Sequence, residues 1–181
     1  SPAAMEVGLD DQNHDGEISA EVEKQFAIAS GFLPALYDAW HSAMATYQSK
    51  ENYRPAVRAE HDDTTAANIV RCHMLHEITR GFDGRSGFSL LNVSSSRLWG
   101  MNYRDVQLWR FKKVDEAGLH RNVRTGQQDD FDDNLPIEGL PAGATRLTCG
   151  YQISAGGDGI DRVVVARILG RGVHWAAQVN V

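Results

Sequence analysis

The chain has 181 residues, 42% of them hydrophobic and 23% charged, with a formal net charge of −6 and a pI near 5.6. A chain of this size buries roughly 70% of its unfolded surface in one domain, so neither disorder nor a disulfide-dependent core is expected. The acidic balance excludes a surface given over wholly to nucleic acid. No stretch reaches the ~18 apolar residues of a membrane span, and no basic flank leads into an apolar run near the start, so a bacterial-type cytoplasmic setting without membrane contact is expected. Cys72 and Cys149 are too few for a disulfide framework or a cysteine zinc site, and both are expected as free, buried thiols.

In chain order, the first third is helical. Val22, Phe26, Ala29 and Leu33 recur at helical spacing and are punctuated by Gly31 and Pro34. Pro34 suits the first turn of a second helix, on which Leu36, Trp40, Met44 and Tyr47 form an inward stripe. A polar stretch from Ser49 to Arg58 ends this pair. A third helix starts at the Asp62-Asp63-Thr64 cap and runs to Gly81. Its apolar residues (Ala66, Ile69, Val70, Met74, Leu75, Ile78) surround most of the axis, which predicts a central helix.

From Gly87 the period changes to two. Phe88 to Val93, Arg97 to Met101 and Asp105 to Val114 read as short strands, the third burying Trp109 and Phe111. Residues 115–143 have no sustained period, and a connection this long inside one domain is expected to work or to move. Three further strands follow, carrying Leu147 to Ile153, Ile160 to Leu169 and Val173 to Val181, linked by glycine-rich turns as an antiparallel meander. The expectation is one α+β domain over 1–181. Helices in 1–81 pack on one face of a largely antiparallel, hairpin-linked sheet in 82–181.

Charge is unevenly spread: residues 1–63 hold 12 acidic and 4 basic side chains, whereas residues 97–124 hold seven Arg or Lys against three acids. Trp109, Arg110, Lys112 and Lys113 on one strand, followed by Arg121, Arg124, Gln127 and Gln128, are the candidate binding surface. Cations interleaved with aromatics can follow a phosphate backbone and stack bases, though the same pattern also serves a core strand with a charged outer face. Phe131, set among Asp129, Asp130, Asp132 and Asp133, is a candidate protein-contact anchor if exposed.

Metal chemistry has three partial signatures, and no cofactor is expected from them beyond a calcium or other divalent ion. Asp11, Asn13 and Asp15 with Gly16 and Ile18 match the first eight positions of an EF-hand loop, but Val22 stands where the bidentate carboxylate belongs. His73, His76 and Glu77 lie at i, i+3 and i+4 on one helix, without the order of known zinc peptidases. Glu77, Asp105 and Lys112 follow in outline the order of a restriction-endonuclease-like site. Arg110 occupies the position where that motif carries a second acid, which removes a ligand from any hydroxide-generating metal.

Trp109-Arg110-Phe111-Lys112-Lys113, Arg121-Asn122, Thr125, Gln127-Gln128, Leu135-Pro136, Leu140-Pro141, Thr145-Arg146-Leu147 and Gly150-Tyr151 together resemble a bacterial and prophage family encoded beside proteins that join a helix-turn-helix to an ImmA/IrrE-type zinc peptidase. The resemblance spans roughly Phe82 to Val181. It implies an effector or bound partner in a toxin-antitoxin or phage-defence pair, with a cognate antitoxin or other protein as partner and nucleic acid as a second target class. A degenerate metal-dependent nuclease and a small phage structural or assembly protein are the competing readings.

Overall fold

The computed structural model describes residues 20–82, 85–93, 98–115, 131, 137, 140–169 and 172–180. These form an α+β architecture in which N-terminal helices pack on a mostly antiparallel sheet. The helices are α1 (Ala20–Ala29), α2 (Leu33–Gln48), α3 (Pro55–Ala59) and α4 (Asp63–Phe82). The strands are β1 (Phe88–Val93), β2 (Leu98–Tyr103), β3 (Gln107–Lys113), β4 (Thr145–Ile153), β5 (Ile160–Leu169) and β6 (Gly172–Gln178). Among the described residues, no helix is long and apolar enough to cross a membrane.

Pro34 sits in the first turn of α2, where its missing N–H costs nothing. The expected stripe is inward: Leu36, Trp40, Met44 and Tyr47 are all buried. At the start of α4 the Asp62 carboxylate accepts the Thr65 N–H at 2.7 Å, which holds the Asp62 carboxyl below its ordinary range. Two helical expectations need correction. Phe26 is exposed, because α1 buries Val22, Glu23 and Ala27 instead. Nor is α4 central: it rests on the sheet through Val70, Met74, Ile78 and Phe82, one residue per turn, while Cys72 points outward and is exposed rather than a core thiol. Cys149 is buried as expected, and burial pushes its thiol up to about 12.

The six strands lie in the order β1-β2-β3-β4-β5-β6, antiparallel throughout except that β3 and β4 run parallel. The three-residue β2–β3 turn places Arg104 and Asp105 both at positive φ (50° and 59°), a conformation that Asp adopts more readily than most side chains. Asp105 is held there by Asn102, whose amide donates to its carboxylate at 2.7 Å and whose side-chain oxygen accepts its N–H at 3.0 Å. Opposite Arg110 on β2 stands Gly100, where a Cβ would run into the Trp109 carbonyl.

The parallel β3–β4 pair explains the long connection between them. Two adjacent parallel strands need a crossover that returns along their full length. The face of β3 that carries Trp109 and Phe111 is covered by α2 and α4, in one core with Leu147, Cys149, Tyr151, Val163 and Val165. Phe131, from the connection, packs on the opposite face against Leu91, Leu108 and Ala144. Covered on both sides, β3 and β4 are buried almost end to end.

Candidate functional site

The predicted binding strand divides by burial. Trp109 is core, in edge contact with Phe32. Arg110 is only 2% exposed: its Nε donates to Thr148 Oγ1 at 3.1 Å, and its guanidinium lies 4.4 Å from the Phe131 ring centroid. Arg146, on β4, approaches the same ring at 5.5 Å and donates to the Phe131 carbonyl. Phe131 is therefore an internal anchor clasped by two buried arginines, which corrects the expectation of an exposed contact residue. Trp109 and Arg110 are likewise removed from direct surface contact. Lys112 and Lys113 remain partly exposed at the end of β3, and Lys113 faces the helices. Arg121, Arg124, Gln127, Gln128, Asp11, Asn13 and Asp15 lie outside the described residues.

The nuclease trio is not brought together. Asp105 belongs to the β2–β3 turn and Lys112 to the far end of β3, roughly 20 Å along the strand. Lys112 also points away from the sheet face on which α4 and Glu77 lie. Glu77 pairs with Arg80 at 3.8 Å. His73 and His76 stay neighbours on α4, but His73 Nε2 shares a 2.7 Å hydrogen bond with the Tyr53 hydroxyl. Among the described residues no group of three His, Cys, Asp or Glu side chains is placed to hold a metal ion.

What the fold does assemble is a cleft of about 760 Å³ where β3 and β4 end, between their carboxyl termini, the β4–β5 turn, α2 and the 55–70 segment. Met44, Val70 and Tyr151 form an apolar floor, and burial pushes the Tyr151 phenol well above its ordinary value. The rim carries Arg58, His61 and Lys113 as donors, with Asp63 and Asp158 as acceptors. Tyr47 joins floor to rim: its hydroxyl shares a 2.8 Å hydrogen bond with His61 Nδ1, and the two rings stack at 5.8 Å with an interplanar angle of 24°. Burial raises the Tyr47 phenol, and the Arg58 guanidinium beside it offsets part of that rise. The Arg58 Nε is buried, without a hydrogen-bond partner among the described residues. Asp158 is fixed by Ser154, whose hydroxyl donates to it at 2.7 Å.

Tyr47, Arg58, His61 and Lys113 were not grouped by sequence reasoning, because no spacing links a helix, a short turn and a strand end. The available signals were single ones: a histidine beside an acidic cap and a lysine closing a strand.

Behind the cleft, the Tyr53–His73 pair carries a pH dependence. Burial, then the neighbouring His76, depress the His73 pKa, with Glu77 opposing them. A histidine with a lowered folded pKa takes up its proton more readily in the unfolded chain. Its contribution is therefore fully present above the unfolded value of about 6.5 and is lost as pH falls below that and through the lowered folded value. Melting temperature is expected to drop between pH 7.5 and 5.5, and His73→Gln is expected to reduce that drop. An unchanged slope in the variant would assign the pH dependence to other groups.

Compared with protein-family models, with curated proteins and with solved structures, the chain matches none.

Proposed function

We propose that this chain is the effector, or the bound partner, of a bacterial two-gene toxin-antitoxin or phage-defence pair, and that it acts by binding a cognate protein and nucleic acid. The observation that carries the nucleic-acid part is the meeting of Lys113 with Arg58, Tyr47 and His61 around one cleft. Cations beside stacked rings are the elements with which proteins hold phosphates and bases of a single strand. The predicted binding strand thus contributes Lys113 to the cleft, while its tryptophan and Arg110 hold the sheet and Lys112 lies on the other face. The pairing with a second gene rests on the family resemblance of residues 82–181.

The test compares induction of the wild-type chain with that of Lys112→Ala/Lys113→Ala at equal expression. Wild type is expected to reduce viable counts, and the variant to spare the cell. In vitro, nucleic-acid affinity should fall steeply with salt, and Lys113→Ala, which removes the lysine lining the cleft, should shallow the slope of log K against log salt by about 1. Unchanged viability with wild type sinks the effector role, and a flat salt response sinks nucleic-acid binding.

A further inference from the structure

From the geometry of the cleft we propose that its ligand is a nucleoside phosphate unit, supplied either by a free nucleotide or by one or two residues of a single-stranded nucleic acid. This deepens the proposed nucleic-acid reading and rests on it only for the second source.

Three features select that chemistry. First, the anion-holding groups are side chains rather than a helix start. Asp62 already accepts the Thr65 amide at the beginning of α4, which leaves Arg58 and Lys113 as the cations lining the space among the described residues. Arg58 lines the cleft, its buried Nε has no acceptor among the described residues, and a positive guanidinium at such a place is stabilised by an anion that pairs with its charge. Second, the Tyr47 and His61 rings line the cleft beside those cations, and an aromatic border suits a base attached to a phosphate better than a phosphate alone. Third, Asp63 and Asp158 also border the cleft. Carboxylates would repel a bare polyanion, but they accept from sugar hydroxyls and exocyclic amines. The mixture of donors, rings and acceptors therefore matches a nucleotide from phosphate to base. A volume of about 760 Å³ accommodates it, falling within the ~300–1,000 Å³ of small-ligand sites.

The experiment is calorimetric titration of the full chain with AMP, with inorganic phosphate and with a single-stranded pentaadenylate. The proteins are wild type, Arg58→Gln and Lys113→Gln, each checked for an unchanged melting temperature. AMP is expected to bind at least tenfold more tightly than phosphate, and each substitution to weaken AMP binding about tenfold. In wild-type protein, the His61 ring protons should shift in NMR spectra as AMP is added, which keeps the test independent of how the variants fold. Pentaadenylate binding more tightly than AMP, with the same losses in both variants, supports the cleft as a single-strand site. AMP binding through Arg58 and Lys113 with no gain for pentaadenylate supports the cleft as a free-nucleotide site and overturns the nucleic-acid reading instead. Phosphate binding as tightly as AMP, wild-type affinity in both variants, or no saturation by either nucleotide probe overturns the proposal.

Discussion

Replacing Phe131 by Ala is expected to destabilise the fold by about 3–5 kcal/mol, the usual cost of emptying a buried aromatic site. The ring is 2% exposed, rests on Leu91, Leu108 and Ala144, and lies between the Arg110 and Arg146 guanidinium groups. Its removal opens a cavity and takes away the π-face that both cations address, a contact that strengthens as water is excluded. Phe131→Leu refills much of the volume without restoring that face, and should recover more than half of the loss. Urea-denaturation midpoints for the two variants separate packing from cation–π attraction. Equal losses in both would mean that the ring electrons matter more than the space. Loss below 1 kcal/mol in the alanine variant would mean that the crossover does not depend on this anchor. Because the cleft lies on the other side of the sheet, Phe131→Leu is expected to leave AMP binding unchanged.

That clasp also marks where sequence reasoning stopped. Periodicity identified the inward stripe of α2 and the strand alternation that places Trp109 and Phe111 toward the helices, since both patterns arise within one element. The same method overstated α4. Its apolar residues circle the axis, but a single sheet face can bury only the Val70, Met74, Ile78 and Phe82 row. Arginines at 110 and 146 look like solvent-facing positions in an alternating strand. They are buried because Phe131, with Ile137 and Leu140 packed nearby, covers that face of β3 and β4. No local pattern encodes that cover: it is a relation between the strands and the aperiodic 115–143 stretch that separates them. The cleft was hidden for the same reason. Tyr47 was legible as core and Lys113 as a strand-end cation, yet their convergence with Arg58 and His61 depends on where α2, the segment before α4 and β3 meet.

A second large effect is expected at the contact that ties α1 to the far edge of the sheet. Glu23 is 7% exposed, pairs with Arg167 of β5, and lies 3.6 Å from His174 of β6. Burial raises its pKa above the ordinary 4.5 despite the opposing pull of Arg167 and then His174, so even the paired carboxylate is less comfortable here than in water. The sign follows from that direction. An acid whose folded pKa is raised contributes most below its unfolded value, and that contribution is lost as pH rises through the folded one. At neutral pH Glu23→Gln should therefore be close to neutral or slightly stabilising. Arg167→Leu, by contrast, leaves a buried carboxylate without its main counter-charge and is expected to cost about 3–5 kcal/mol. That cost should shrink toward pH 4.5, where Glu23 takes up a proton, and Glu23→Gln/Arg167→Leu should recover most of it at pH 7. Denaturation of the four proteins at pH 4.5 and 7 tests the assignment. A penalty for Arg167→Leu that is independent of pH and persists in the double variant would mean that the arginine acts through packing of its stem against β6 and not through its charge.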